Sequence, residues 1–221
     1  MSTLRELVPA DLFKFNSIVF DPFVEGYHMD FYLRKMIKNP KLCQVSVAPD
    51  GRLIGLLLST HGVSKNEKFK NEIGKDFRPT YGHISLLAVA ADYRRLGLAT
   101  CLMGQFTEIV ERYGDWYVDL YVRSSNVTAV QLYEFLGFIR YRWLPFFYEN
   151  EHGYELRMPL CRDVGRKSLK GITKNRFYWL HQVLYALFKE FLKGLKALYT
   201  RYSKKAQKNI PIKSSLHSSS E

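Results

Sequence analysis

"SLLAVAADYRRLGLATCLM" (Ser85–Met103) joins an apolar run to a second apolar run through two arginines and a glycine. The first run is short, continuous and aliphatic, as a buried strand is; the second spaces its apolar residues as a helix does. The junction is therefore a strand-to-helix turn. A helix start leaves about four backbone N–H groups without partners and carries roughly half a positive charge. Gly97 and Ala99 leave the backbone of Gly97, Leu98 and Ala99 open to approach, and Arg94 and Arg95 add charge. Such a turn suits a pyrophosphate lying on bare backbone. The same residues would also serve as a solvated junction in which Gly97 only makes the turn.

Outward from this turn the chain alternates. Upstream, residues 3–8 read as a strand and "PADLFKFNSI" as a helix with Leu12, Phe13, Phe15 and Ile18 facing inward. A turn-rich stretch, "DPFVEGYHMD", precedes a helix over Phe31–Lys38, stopped by Pro40. "CQVSVAPDGRLIGLLLST" is a hairpin around Asp50-Gly51, and residues 62–80 are polar and read as a long loop. A strand over His83–Ala90 leads into a helix over Gly97–Tyr113, ended by Gly114. Downstream come the strand "WYVDLYV", the helix "NVTAVQLYEFLG", and the strands "FIRYRWL" and "YELRMPL". The order β-α-α-β-β-β-α-β-α-β-β predicts an α/β fold, a mixed central sheet with helices on both faces.

Composition sets further bounds. With 47% hydrophobic and 15% aromatic residues, the 221-residue chain can bury a real core. Its three cysteines, Cys43, Cys101 and Cys161, are odd in number and lack metal-ligand spacing, so neither disulfides nor zinc are expected and a reducing, cytoplasmic setting is. No secretory leader and no apolar run of membrane-spanning length stand out. The net charge of +12 is unevenly placed: residues 161–221 hold 14 Lys+Arg against 3 Asp+Glu, and residues 1–160 hold 19 against 18. The charge belongs to the tail. The expected organisation is a domain over 1–160, a basic linker over 161–176, an amphipathic basic helix over 177–202 and a disordered stretch over 203–221.

Two motifs in order, Arg-x-x-Gly-x-Ala after "ISLLAVAADY" and Asn-x-x-Ala-x-x-Leu-Tyr-Glu-x-x-Gly-Phe at Asn126–Phe138, resemble the GNAT family of N-acetyltransferases. Within that family, "LRELVPADLFKFNSIVFDPFVEGYHMDFYL" and "WYVDLYVRSSNVTAVQLYEFLGF" are similar to catalytic subunits of the NatB type. The resemblance implies acetyl-CoA as cosubstrate, no metal, and transfer to N-termini of nascent chains beginning Met-Asp, Met-Glu, Met-Asn or Met-Gln. It implies that the pyrophosphate sits on Arg94, Arg95, Gly97, Leu98 and Ala99 and that the backbone of Leu87, Ala88 and Val89 pairs with the pantetheine arm. Tyr133 would then serve the departing thiolate; by periodicity alone it is an ordinary core aromatic. Asn126 either caps its helix or contacts the coenzyme. The resemblance further implies that Glu25 acts in catalysis by orienting the incoming amine or a water, that Tyr27 lies beside it, and that His83 and Ser85 meet the second residue of the substrate. Residues alone allow a strand-end histidine without a task.

The chain departs from the NatB pattern twice. Phe147-Tyr148 stands where that pattern has paired tyrosines lining the peptide site, and the 62–80 stretch is longer. A catalytically weak binding subunit is the competing class, and within the family the alternative is an acetyltransferase with other N-terminal or lysine specificity. For the tail three roles stay open: an interfacial helix on anionic membrane, a helix that docks on a large helical-repeat auxiliary subunit, or one folded on its own domain. Arg201, Lys204, Lys205 and Lys208 offer charge for ribosomal RNA.

Overall fold

The computed structural model describes residues 2–65, 69, 71, 73–74, 77–149, 151–170, 184, 187, 191 and 194. The chain divides into two compact units, Met1–Lys174 and Asn175–Glu221. The first is built on a seven-stranded sheet of order β1-β2-β3-β4-β5-β7-β6. The strands are β1 Thr3–Glu6, β2 Cys43–Val47, β3 Leu53–Val63, β4 Thr80–Val89, β5 Tyr117–Arg123, β6 Ile139–Tyr148 and β7 Glu151–Pro159. All neighbours are antiparallel except β4 and β5, which are parallel. The helices, numbered over the described residues, are α1 Asn16–Val19, α2 Met29–Lys38, α3 Leu98–Arg112 and α4 Val127–Phe135.

Two apolar cores lie on opposite faces of the sheet. On one, Leu102, Met103, Phe106 and Val110 of α3 and Val130 and Tyr133 of α4 pack against Ile84, Leu120 and Leu156. On the other, Leu12, Phe15, Ile18, Tyr32 and Met36 pack against Val45, Leu56, Leu58, Leu86 and Ala88. Each large side chain so buried contributes about 1.5–3 kcal/mol. Strand β4 serves both cores, and a bulge decides how. Ser59 pairs with Ile84 and Leu58 with Leu86, so Ser85 is an extra residue on β4. One extra residue reverses the alternation of faces. Gly82 and Ile84 therefore face α3, whereas Leu86 and Ala88 face α2. At Gly82 a Cβ would come within 2.8 Å of the Phe106 ring and 3.0 Å of Val110, so glycine here sets how closely α3 approaches.

Several expectations need correction. The helix expected over 9–18 is a 3-10 turn, Pro9–Phe13, followed by the short α1. Asp11 is buried there, accepting from the Val8 N–H and from both terminal nitrogens of Arg5. Phe13, expected to face inward, is 80% exposed, while Leu12, Phe15 and Ile18 are buried. The stretch read as a polar loop is partly core: β3 continues to Val63, Ser64 N–H donates to Pro79, and Phe69, at a helical position, is fully buried against the rings of Trp116 and Tyr117. Residues 161–170, assigned to a linker, are held to the sheet. Asp163 accepts from the N–H groups of Lys167 and Ser168, and Arg157 donates to the Ser168 carbonyl.

In the second unit Leu184, Leu187, Phe191 and Gly194 are helical positions, the first three exposed. Otherwise the amphipathic stripe over 177–202 and the expectation for 203–221 lie outside the described residues. Among the described residues no helix is long and apolar enough to cross a membrane.

Candidate active site

The parallel ladder between β4 and β5 is short. It runs from Tyr81↔Tyr117 to Ile84↔Leu120, and beyond that point β4 pairs only with β3, and β5 only with β7. The sheet opens there. Ser85, Leu87 and Val89 edge one side of the opening and Tyr121–Arg123 the other, with the starts of α3 and α4 following directly. Backbone groups on such an unpaired edge are available to an extended ligand.

At the α3 side the sequence expectation for the turn meets an unusual backbone. Arg95 has φ 65° and Gly97, the N-cap of α3, φ 78°. A left-handed non-glycine residue costs roughly 1–2 kcal/mol, a strain found where backbone N–H groups are turned toward a ligand. A Cβ on Gly97 would meet nothing within 4 Å, so the space above the turn is open. Arg94 is used differently from the expectation: it pairs with Asp21 at 2.5 Å and donates through Nε to the Val89 carbonyl at 3.0 Å. It ties the end of β4 to the segment after α1, and holds the Asp21 carboxyl below the usual range. Asn126 caps α4, its Oδ1 accepting from Ala129 N–H at 3.1 Å.

Across the opening lies a set of interlocked side chains. Glu25 pairs with Arg123 at the end of β5, and Arg123 also reaches Glu151 at 3.4 Å. The Arg123 guanidinium sits 4.5 Å from the centre of the Tyr148 ring. Glu25 is thus an ion-pair partner and not a free base. Burial pushes the Tyr148 phenol up, as do the neighbouring Tyr27 and Glu25, against the pull of Arg123. Tyr133, 7% exposed on α4, is close enough to act on Tyr148 electrostatically, and burial raises its own phenol far above the ordinary value. Tyr133 is therefore a neutral phenol and a weaker acid than an ordinary tyrosine, with a hydroxyl able to donate a hydrogen bond.

His83 faces Asp119, its partner in the parallel register, with Nδ1 and Oδ1 2.7 Å apart. A carboxylate only accepts, so Nδ1 carries the hydrogen and Nε2 is the open nitrogen. The His83 ring touches Tyr121, Tyr121 touches Phe147, and Phe147 meets Tyr148 edge-on, which makes an aromatic wall. Burial pushes the Tyr121 phenol up to about 12. Phe147, 48% exposed, owes its place to irregular pairing between Leu144 and Tyr148 and to the positive φ of Phe146, whose N–H donates to His152. On the third side Tyr27 stacks on Phe31, and Lys35 donates to Ser85 at 2.8 Å.

Glu25, Tyr27, Tyr133 and Tyr148 thus come together, and His83, Ser85 and Phe147 line the same face, while Leu87, Ala88, Val89, Arg95, Gly97, Leu98 and Ala99 form the other side. The residues missed by sequence reasoning include Arg123, Asp119, Glu151 and Lys35. Asp119 carried a signal, as an acid inside the apolar run "WYVDLYV". The others gave none that was local.

The Acetyltransferase (GNAT) family model matches residues 11–138. The catalytic subunit of the N-terminal acetyltransferase B complex of Schizosaccharomyces pombe is 35% identical over 182 residues, covering 79% of this chain and 94% of the relative. The N-alpha-acetyltransferase 20 of Dictyostelium discoideum is 34% identical over 171 residues, covering 76% and 92%. Among solved structures, Naa20 of Chaetomium thermophilum in complex with a bisubstrate analogue superposes with a TM-score of 0.68 at 30% identity, covering 78% of this chain and 93% of that one.

Proposed function

Because the chain belongs to the acetyltransferase (GNAT) family, we infer that it is an acetyl-CoA-dependent N-terminal acetyltransferase of the NatB type, with Met-Asp, Met-Glu, Met-Asn and Met-Gln N-termini as acceptors. The observation that carries this reading is the opening of the sheet after Ile84↔Leu120, with an anion-binding turn on one side and the Glu25–Arg123 and His83–Asp119 pairs on the other. Two substrates can meet there from opposite sides.

Acetyl-CoA supplies an activated thioester: the amine nitrogen bonds to its carbonyl carbon, the carbon–sulfur bond breaks, and the proton lost by nitrogen balances the one gained by sulfur. Arg95 and the backbone of Gly97, Leu98 and Ala99 hold the pyrophosphate, and the edge of Leu87–Val89 pairs with the pantetheine amides. Arg94 holds the turn through Asp21 and the Val89 carbonyl. Tyr133, a phenol that burial keeps from ionising, donates a hydrogen bond to the leaving sulfur, whose charge is finally neutralised by the proton the amine loses. Glu25 orients the amine while Arg123 fixes its carboxylate. An α-amino group titrates near 8, so a useful fraction is already neutral at pH 7.5 and no strong base is required. Tyr27, Phe147 and Tyr148 enclose the first side chain, and His83 Nε2 and Ser85 meet the second. The missing hydroxyl at Phe147 leaves this wall apolar on one side.

The relatives' standing as catalytic subunits of a complex supports an auxiliary subunit as partner; nascent chains as substrates and the cytoplasm as the place of action belong to the same proposal. Ribosome or anionic-membrane contact through the basic tail belongs to the same reading. The deciding experiment is transfer from labelled acetyl-CoA to peptides beginning Met-Asp, Met-Glu, Met-Asn, Ser-Glu and Met-Leu, and to an N-terminally blocked lysine peptide, with and without the auxiliary subunit. Preference for the first three is expected. Transfer confined to another peptide overturns the specificity, and silence in both conditions leaves a coenzyme-binding subunit.

A further inference from the structure

Lys35 is a cation that the fold half-buries without giving it a carboxylate among the described residues. Its Nζ donates to Ser85 Oγ at 2.8 Å and lies 5.2 Å from the centre of the Phe31 ring, which stacks on Tyr27 at 4.0 Å. Tyr27, Phe31 and Lys35 thus form a column from the Glu25 end of the site to the bulge of β4. Burial holds the ammonium below the usual lysine range, with Lys38 adding to the effect and Cys43 opposing it. An ammonium has three N–H donors, and Ser85 takes one. Removing a cation from water without an anion beside it is costly, and such a group marks a place where a ligand brings the anion.

Its location says which part of the ligand. Ser85 is the extra residue of the bulge, immediately after the last β4–β5 pair, and its hydroxyl is turned to the α2 side. His83 stands two residues before it on the same strand. We propose that Lys35 determines specificity at the acceptor's second position, pairing with a side-chain carboxylate there so that Met-Asp and Met-Glu N-termini are favoured over Met-Asn and Met-Gln. This rests on the N-terminal acetyltransferase reading. The hydroxyl of Ser85 serves an amide as well as a carboxylate, and His83, with its hydrogen on Nδ1, offers Nε2 as an acceptor to an amide N–H. A full positive charge distinguishes the two isosteres, because an amide leaves the buried cation unpaired.

The test compares Met-Asp and Met-Asn peptides, identical elsewhere, on the full chain in the presence of CoA. Dissociation constants come from calorimetry, and acetyl transfer is followed separately. Wild type is expected to bind Met-Asp about tenfold more tightly, one charge-assisted hydrogen bond. In Lys35→Met the ratio falls to near one, and Lys35→Arg retains most of it. A second readout needs no variant: the wild-type ratio shrinks as salt is raised. Equal binding of the two peptides by wild type, or a preference that survives in Lys35→Met, overturns the proposal. The two readings fail separately. A Lys35-dependent binding preference without acetyl transfer upholds the role of Lys35 and overturns the enzymatic one, whereas transfer to both peptides with equal binding does the reverse.

Discussion

On the α3 side of the opening the working groups are backbone: a left-handed Arg95, a left-handed Gly97 and the uncovered edge of β4 after Ile84. On the opposite side they are side chains held in pairs, Glu25 with Arg123, His83 with Asp119 and Lys35 with Ser85. A backbone site needs a particular conformation and tolerates varied side chains; a paired site needs particular partners, each of which fails when the other is removed. The two sides should therefore respond to substitution in separable ways.

In the proposed mechanism Tyr133 belongs to neither side alone, since there it serves the bond that breaks between them, and its loss is expected to be the largest. Tyr133→Phe should lower kcat about 100-fold, the usual worth of one positioned hydrogen bond to developing charge, with both KM values little changed. Steady-state kinetics with each substrate varied will show it; full turnover would mean the thiolate leaves without help from this hydroxyl.

Next comes the paired side. Arg123→Met strips Glu25 and Glu151 of their cation and Tyr148 of its guanidinium contact. Loss of one charge-assisted pair is worth about 2 kcal/mol, so kcat/KM for the peptide should fall about 30-fold. Acetyl-CoA affinity, measured by calorimetry, should hold. Equal losses toward both substrates would merge the two sides into one network.

Gly97→Ala makes the reciprocal test. No atom lies within 4 Å of the new methyl, so the penalty is the left-handed φ of 78°. Strain of about 1 kcal/mol predicts a several-fold rise in the KM for acetyl-CoA, with peptide affinity unmoved.

The same contrast explains what was legible beforehand. The side proposed for the coenzyme lies in one continuous stretch, Leu87–Ala99, and strand, turn and helix follow one another in order, so residue type and spacing sufficed to read its local structure. Glu25 and Arg123 are 98 residues apart, and nothing near either announces the other. Nothing in the helix sequence around Lys35 sets it apart from its neighbours; the bulge at Ser85 that turns a hydroxyl toward it is a matter of register between β3 and β4. Phe69 was hidden because polar neighbours dominate its stretch, while its own ring fills the space beside Trp116 and Tyr117. Phe13 went the other way: a helical period places it inward, but the 3-10 turn around buried Asp11 rotates it into solvent.

Asp21 and Arg94 join the two sides, and here the smallest effect is expected. Asp21 lies between α1 and α2, on the side proposed for the acceptor; Arg94 begins the turn proposed for the coenzyme and also holds the Val89 carbonyl. The hydrogen bond from Arg94 keeps the Asp21 carboxyl below its ordinary value. A carboxyl with a lowered native pKa contributes its full stability above the unfolded value, near 4, and loses it as pH falls through the lower native one. Arg94 is half exposed, so solvent screening limits the pair to about 0.5 kcal/mol, or 1–2 °C in Tm for a chain of this size. Asp21→Asn should therefore lower Tm by that amount at pH 7, and the gap to wild type should close as the pH is taken down through the acid range. A gap that widened toward low pH would require that Asp21 be protonated in the native state, and the link between the two sides would then rest on Val89 alone.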